Sequence, residues 1–303
     1  MRDLNYHLNQ MCRNNRDGSF GTQADRRKTL NLIANELHSL GYKRIYHPRN
    51  FKPKHVNALL KKWSDPESPL SAGTIKNRMA TWRWVSEKTG NRFIHPSNEK
   101  YGIERRDLIG DDRALEFKDE VLAKIKDDLV RYSAKLQREF GLRREEAIKF
   151  SVHYADKGDH IILKSGWAKG GRKRKIPITT SAQLELISEL KNGPYGKTSL
   201  IPCDKKYIQQ RHRFDRCMAA VGYGQSRGAR HRYAQIRYKA ITSEIMSRSV
   251  GIEVVGLDCY YRDGLKARDL PTELKKVDRE ARQLLSRELG HNRIQSCSVY
   301  LGG

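Results

Sequence analysis

The stretch from Leu289 to Tyr300, near the end of the chain, restricts the fold more than any other. His291 and Tyr300 are nine residues apart. On one straight helix, nine residues turn through about 900° and rise roughly 13 Å, which places the two side chains on opposite faces. They can share one small target only if the chain bends between them. Gly290 can end the preceding helix, and Asn292 can cap a new short helix that carries Tyr300.

A tyrosine in this position has two interpretations. On residue type alone, Tyr300 is better explained as a core aromatic than as a nucleophile. If the chain bends so that His291 and Tyr300 face one anion, the catalytic interpretation gains weight. The other motifs of the chain decide between the two.

The charge balance points to a polyanionic partner. The 303 residues have a net charge of +25, from 60 Lys and Arg against 35 Asp and Glu. The excess is spread along the chain, because residues 1–100 alone contain 19 basic and 8 acidic residues. A single basic tail on a neutral enzyme would not give this distribution. We therefore predict two domains that both bind nucleic acid.

The same composition disfavours several other classes of protein. The five cysteines are scattered and no pair has CxxC spacing, so we predict free thiols rather than a zinc site or a disulfide framework. No apolar run reaches transmembrane length, and the N-terminus has no signal-peptide core. No carboxylate cluster has the ligand spacing of a two-metal nuclease. We expect a soluble, cytoplasmic protein without a bound metal or cofactor.

Apolar residues at helical spacing predict a mainly α-helical fold in two domains. Residues 1–95 contain three such stripes and are predicted to form a small helical domain. Lys76 and Arg83 lie two turns apart on its third helix and are candidate DNA contacts, although a solvated face would look the same. Residues 96–111 contain prolines and glycines without an apolar period, which is typical of a linker. Residues 112–303 are predicted to form a mixed α+β domain.

An arginine near the start of a helix is a candidate for anion binding in the second domain. Gly141 ends one predicted helix, and Arg143 falls where the next begins. The free N–H groups and the dipole of a helix start already favour an anion, so an arginine there can clamp a phosphate. Glu146 follows three residues later. A surface arginine beside glutamates is the alternative interpretation.

A β-hairpin with a basic connection is predicted next. Its strands are residues 160–164 and 174–178, joined by a Gly-Gly turn. The connection carries Lys169 and Arg172, and Arg174 opens the second strand. Such a hairpin can reach into a groove or along a phosphate backbone, so we predict that these basic residues contact DNA.

A third group of basic residues lies near a later helix start. Arg227 and Arg230 are three residues apart and can face the same anion. His231 points about 100° away from Arg230 on a helix, where a buried hydrogen bond is its expected use.

These motifs occur in the order found in tyrosine recombinases, and the chain resembles that phage-integrase family, in particular integrases of bacterial mobile genetic elements. Gly-Leu-Arg followed by a glutamate resembles the first motif, and Lys-Gly-Gly-Arg resembles the hairpin. Arg-His resembles the second motif, and Leu-Gly-His followed nine residues later by tyrosine resembles the last. The second motif of the family starts with His, where this chain has Arg227. The resemblance covers residues 112–303, whereas the N-terminal domain is assigned as core-binding by position and helicity.

The resemblance implies a site-specific recombinase that cuts and rejoins double-stranded DNA through a 3′-phosphotyrosine, without metal or ATP, to integrate or excise a mobile element. It implies a tetramer on specific DNA sites in the bacterial cytoplasm, with accessory DNA-bending proteins as further candidate partners. Lys169 would protonate the leaving 5′-oxygen. Arg227 can donate to a phosphate but cannot act as a base. The residues implied as catalytic are Arg143, Lys169, Arg227, Arg230, His291 and Tyr300, with Glu146 and His231 in support.

Two alternatives stay open at this point. A type IB topoisomerase uses a similar set of groups to relax one duplex, and a DNA-binding regulator could keep the fold without catalysis. Arg227 is the feature that favours the regulator. Tyr260 and Tyr261 are rival nucleophiles, but neither follows a Leu-Gly-His sequence.

Overall fold

The chain divides into two compact units, Met1–Asp107 and Leu108–Gly303. The division falls inside residues 96–111, where the sequence predicts the linker. The computed structural model describes residues 2–105, 112–168, 170–259, 269–291 and 293–302.

The first unit is a helical bundle around an aromatic core. Ser71 caps its last long helix by accepting a hydrogen bond from the backbone N–H of Thr74, and Gly90 ends that helix with φ +66°. Trp63 and Trp82 are fully buried between the helices, which explains why the apolar stripes recur at helical spacing. The helices are α1 (Asp3–Asn14), α2 (Phe20–Ser39), α3 (Pro53–Trp63) and α4 (Ala72–Thr89), with 3-10 turns at Pro48–Asn50 and Glu99–Tyr101.

The second unit combines helices with one small sheet. Its elements confirm the predicted fold class, a mainly α protein with a β-hairpin. The described elements are α5 (Asp119–Leu122), α6 (Asp128–Phe140), α7 (Arg144–Ile148), α8 (Val152–Ala155), β1 (His160–Leu163), β2 (Arg174–Pro177), α9 (Ser181–Asn192), α10 (Tyr207–Ala220), α11 (Arg227–Val250), α12 (Thr272–Glu288) and α13 (Ser298–Leu301), with 3-10 turns at Ser165–Trp167 and Ile294–Cys297.

The two strands of the hairpin are antiparallel, and their register decides which side chains face the core. His160 pairs with Pro177, and Leu163 pairs with Arg174. Side chains alternate between the two faces of a strand, so Arg174 and Ile176 share one face of β2. Both are buried, whereas Lys175 between them is exposed.

The long helix α11 organises the unit and packs on α12 and α6. Its start is pressed against the segment before α5, because the carbonyl of Gly228 accepts a hydrogen bond of 3.0 Å from the backbone N–H of Leu115. A Cβ at Gly228 would lie 2.8 Å from the carbonyl oxygen of Arg113, so only glycine fits. Across the described ranges, no helix is long and apolar enough to cross a membrane.

Candidate active site

The chain bends between His291 and Tyr300, as their spacing requires. Helix α12 is followed by Gly290 with φ +66°, and the N–H of His291 turns back to the carbonyl of Ser286 at 2.8 Å. A 3-10 turn and α13 then carry Tyr300 back toward the bend. His291 Nε2 lies 3.3 Å from Tyr300 Oη. Asn292, the predicted cap, lies outside the described residues.

Arg230 joins the nucleophile candidate to the core of the unit. Its Nε donates to Tyr300 Oη at 3.2 Å, and its guanidinium carbon lies 5.6 Å from the centre of the Tyr300 ring. One Nη group donates to the carbonyl of Gly141, and the other donates to the carbonyl of Leu289 at 2.5 Å. The same Nη2 lies 3.5 Å from His291 Nε2. Arg230 thus orients the hydroxyl and the imidazole together.

Three arginines converge on one main-chain atom, the carbonyl oxygen of Leu289. Besides Arg230, Arg143 donates to it from Nη2 at 3.2 Å and Arg174 from Nη1 at 2.9 Å. This carbonyl ends α12, where the helix dipole is negative and favours cations. We call Arg143, Arg174 and Arg230 the arginine cluster.

Glu146 is the buried counter-charge of the arginine cluster. Its carboxylate is fully buried, and Oε1 accepts from Arg143 Nη1 at 2.8 Å. Oε2 accepts from Arg174 Nη2 at 2.6 Å and from the backbone N–H of Arg143 at 2.7 Å. Burial raises the pKa of Glu146, but the charges of Arg174, Arg143 and Arg230 outweigh it and lower the pKa overall. Three guanidinium groups and one carboxylate leave an excess of two positive charges, which an entering anion would neutralise.

Arg174 is placed differently from the sequence prediction of a DNA contact. Its side chain is only 7% exposed because it points to the buried face of β2, where it bonds to Glu146 and Leu289. A charge that is already paired and out of solvent does not offer a phosphate contact. The basic run around it is exposed at Arg172 and Lys175, whereas Lys169 lies outside the described residues.

The surroundings of Tyr300 shift its pKa downward. The side chain is 2% exposed, and this burial raises the pKa. The charges and hydrogen bonds of Arg230 and Arg227 outweigh the burial, so the net pKa of Tyr300 is lowered. The site therefore stabilises the phenolate, which is the nucleophilic form.

His291 is held in its neutral form. Burial, followed by the positive charges of Arg230, Arg143, Arg174 and Arg227, lowers the pKa of His291 to about 4. At neutral pH the imidazole is uncharged and keeps a lone pair for a proton, but it is a weaker base than an ordinary histidine until an anion in the cleft offsets the charges of the arginines. Since His291 Nε2 faces Tyr300 Oη, the arrangement can move a proton from the phenol to the imidazole.

His231 lies on the other side of Tyr300. Its ring is buried and packs at 4.7 Å between centroids on the ring of Tyr300. Burial and nearby arginines lower the pKa of His231 to about 4. The structure shows a ring contact at this position, where the sequence predicted a hydrogen bond.

An open cleft of about 670 Å³ is lined by Arg143, Arg230, His291 and Tyr300, so a ligand that enters it meets these groups. Arg227 lies on its rim, exposed, at the first position of α11. Sequence reasoning missed part of the wall of this cleft. The residues that complete this wall are Gln137, Leu142, Arg144, Gly224, Gln225 and Ser226.

Gln137 is the most unusual of the missed residues. It is 1% exposed, and its Nε2 has no hydrogen-bond partner among the described residues. The sequence contained a signal for this residue, because Gln137 continues the helical spacing of the buried residues Val130 and Ala134 along α6. A polar residue in an apolar stripe marks either a functional group or a weak point of the core.

The two candidate DNA contacts of the first unit differ in availability. Arg83 is occupied within its own unit, since Nε donates to the carbonyl of His95 at 3.0 Å and Nη2 to Asn98 Oδ1 at 2.7 Å. Lys76 is half-buried on α4. The rival nucleophiles Tyr260 and Tyr261 lie outside the described residues. Within the described part of the chain, no group of three His, Cys, Asp or Glu side chains has metal-binding geometry.

Two family models match the sequence. A model described as "Phage integrase, N-terminal" matches residues 1–94, and a model described as "Integrase" matches residues 109–236. The match ends before His291 and Tyr300, so those two residues rest on the geometry above. No curated protein matches the sequence significantly.

Solved structures share the fold at low identity. The Tn1549 transposon integrase in complex with circular intermediate DNA is 12% identical, with a TM-score of 0.53 over 100% of this chain and 96% of that chain. A lambda integrase tetramer bound to a Holliday junction is 14% identical, with a TM-score of 0.52 over 80% of this chain and 75% of that chain. The XerH recombinase bound to palindromic difH substrate is also 14% identical, with a TM-score of 0.50 over 98% and 80%.

Proposed function

Since the chain belongs to the phage-integrase family of tyrosine recombinases, we propose that it is a site-specific recombinase that cuts and rejoins DNA through a 3′-phosphotyrosine. One observation carries the proposal. Tyr300 Oη lies 3.2 Å from Arg230 Nε and 3.3 Å from His291 Nε2, at the wall of an open cleft. A hydroxyl between a cation and a neutral base is arranged as a nucleophile rather than as a core aromatic.

In the proposed cleavage step, Tyr300 Oη attacks a DNA phosphorus and forms a new P–O bond. The phenol proton passes to His291 Nε2, the nearest neutral acceptor. The bond between phosphorus and the 5′-oxygen breaks, and its electron pair leaves with that oxygen. By resemblance, Lys169 supplies the proton that completes the 5′-hydroxyl.

The arginines stabilise the charge that develops on the phosphate. Arg143, Arg227 and Arg230 line the cleft, and a pentavalent phosphate carries more negative charge on its non-bridging oxygens than the diester does. Preorganised donors aimed at such charge are worth roughly 10²–10³ in rate each. Arg143 and Arg230 are held in place by the carbonyl of Leu289, and Arg143 also by Glu146, which spares these two donors from reorganising during the reaction.

Rejoining follows from the chemistry of the intermediate. The phosphotyrosine preserves the energy of the phosphodiester, so a 5′-hydroxyl from another strand can reverse the step without ATP. Repeated on two duplexes, this exchange integrates or excises a mobile element. We propose a homotetramer on two DNA sites as the active form. The net charge of +25 supports the DNA partner, and the fold shared with a lambda integrase tetramer bound to a Holliday junction supports the assembly.

Trapping the covalent intermediate tests the proposal. A duplex nicked just beyond the scissile phosphate loses its 5′-hydroxyl fragment after cleavage, so the adduct accumulates and survives denaturation. We expect the adduct with the wild-type protein and with Tyr233→Phe, which removes a buried hydroxyl bonded to Glu288 and keeps the aromatic ring. We expect none with Tyr300→Phe.

Each alternative predicts a different result. An adduct that persists in Tyr300→Phe but disappears in Tyr260→Phe or Tyr261→Phe would reassign the nucleophile. Binding of DNA without any adduct in all variants would indicate a regulator. An adduct together with relaxation of supercoiled plasmid, but no exchange between two duplexes, would indicate a topoisomerase.

A further inference from the structure

Arg174 contacts both sides of the turn that precedes His291. Its Nη1 donates to the carbonyl of Leu289 at 2.9 Å, and a Cβ added at Gly290 would lie 2.9 Å from the same nitrogen. Its Nη2 donates to Glu146 at 2.6 Å. The guanidinium therefore touches the end of α12, the turn after it and the start of α7.

The three elements joined by Arg174 are distant in sequence. The partners of Arg174 lie 28 residues before it and 115 residues after it. Arg174 itself is the first residue of β2, at the base of the hairpin loop. Among the described residues, Arg143 is the one other side chain that donates to both Glu146 and Leu289. Arg143, however, lines the cleft.

We propose that Arg174 is a positioning residue that ties the Leu289–Gly290–His291 turn to Glu146. It thereby holds His291 and the arginines that line the cleft in the positions that the reaction requires. The inference rests on the proposed function and deepens it. Arg174 itself does not touch the DNA, because it is 7% exposed and is not among the residues that line the cleft.

The planar fork of arginine suits this task. Two parallel donors separated by a rigid carbon can serve a carbonyl and a carboxylate at once. A lysine ammonium would keep the charge beside Glu146 but could not hold both acceptors in a fixed geometry. Loss of the fork would let the turn move, and a displacement of about 1 Å at a reacting group can cost roughly 10²-fold in rate.

The test compares Arg174→Met with Lys175→Met. Both variants remove one positive charge from β2, but Lys175 points to the exposed face. Two quantities are measured with the full chain and the nicked duplex: the rate of adduct formation at saturating DNA, and the Kd as a function of salt. For Arg174→Met we expect a saturated rate lower by roughly 10²-fold, with the Kd and its salt dependence unchanged. For Lys175→Met we expect an unchanged saturated rate.

Two further variants guard against a trivial loss of folding. Arg174→Lys keeps the buried Glu146 paired, and we expect a rate between those of the wild type and Arg174→Met. The double variant Arg174→Met/Glu146→Gln leaves no unpaired buried carboxylate. Because both changes disturb the same network, we expect its rate to be close to that of Arg174→Met, rather than the product of the two single losses.

The outcomes are separable. A wild-type protein without an adduct overturns the proposed function and this inference with it. A wild-type protein with an adduct, and a folded Arg174→Met or double variant that cleaves at the wild-type rate, overturns the inference alone. An unchanged saturated rate with a higher Kd and a salt slope lower by about one would make Arg174 a phosphate contact, which also overturns it.

Discussion

Gly141 offers a sharp test of how tightly the active site is tied to the core. It ends α6 with φ +57°, and its carbonyl accepts a hydrogen bond from Arg230. A Cβ added there would lie 2.9 Å from Cγ and Cε1 of Tyr233 and closer still to Cδ1. The ring of Tyr233 is buried. Gly141→Ala must therefore strain the backbone and displace either the ring or the turn.

The size of the effect follows from two contributions. A left-handed conformation costs a non-glycine residue about 1–2 kcal/mol, and overpacking a full core costs about 1–3 kcal/mol more. Gly251 is the matched control, since it ends α11 in the same way with φ +73° and a Cβ there would meet nothing within 4 Å. Gly251→Ala should show only the first contribution, so the difference between the two variants isolates the clash.

Thermal unfolding and adduct formation measure both consequences. Each kcal/mol lowers the Tm by about 2–4 °C in a unit of this size, and Gly141→Ala should fall further than Gly251→Ala. Adduct formation should drop in Gly141→Ala alone, because a shifted Gly141 carbonyl displaces Arg230. Adding Tyr233→Leu should bring the cost of Gly141→Ala back to that of Gly251→Ala. Equal Tm values for the two alanine variants would refute the reasoning.

Four further predictions concern residues of the cleft. On the nicked duplex, Arg227→His should keep much of the cleavage rate, whereas Arg227→Ala should lose roughly 10²-fold. Full activity of the alanine variant would make Arg227 a surface charge only. Burial and the neighbouring arginines lower the pKa of His291 to about 4, so the imidazole of the folded protein is neutral above that pH. The cleavage rate should therefore not vary with imidazole protonation near pH 7, and it should fall as the pH drops toward 4. His291→Ala should cleave more slowly than the wild type throughout and more slowly than His231→Ala, and equal rates of the two alanine variants would contradict this order. Because the pKa of His291 is lower in the folded than in the unfolded chain, the unfolded chain takes up this proton at a higher pH. The free energy of unfolding, measured with denaturant, should therefore decrease as the pH falls from about 6.5 toward 4. Gln137→Leu should raise the free energy of unfolding by about 1 kcal/mol in urea titrations, since an unpartnered buried amide is costly; a decrease would mean that Nε2 has a partner in solution.

Local patterns in the sequence were sufficient for the elements that position the site. The nine-residue spacing of His291 and Tyr300 required a bend, and the bend is present after Gly290. Gly141 stands at the end of α6 because a left-handed glycine ends a helix within one turn of chain. Such short-range chemistry can be read from neighbouring residues.

Contacts between residues that are distant in the sequence could not be predicted in the same way. Arg174 looked like one more charge in a basic hairpin, and only its strand parity with Ile176 hinted at the core. Its partner Leu289 lies 115 residues away, and the contact is made by a backbone oxygen that any residue would supply. The unpartnered amide of Gln137 was hidden for a related reason, since one polar residue in an apolar stripe does not reveal which cavity it borders.

The acceptor shared by the arginine cluster is a backbone oxygen, that of Leu289, and this limits how substitutions can change the site. Substitutions at position 289 alter the side chain but leave the acceptor of the arginine cluster in place, so ordinary mutagenesis cannot delete it. Selection for new DNA targets can therefore vary the cleft rim while this anchor persists. Replacing the amide that follows Leu289 by an ester would weaken the acceptor without touching any side chain, and would also remove the Gly290 N–H that bonds to Arg287. Chemical protein synthesis thus reaches a part of this active site that genetic variation does not.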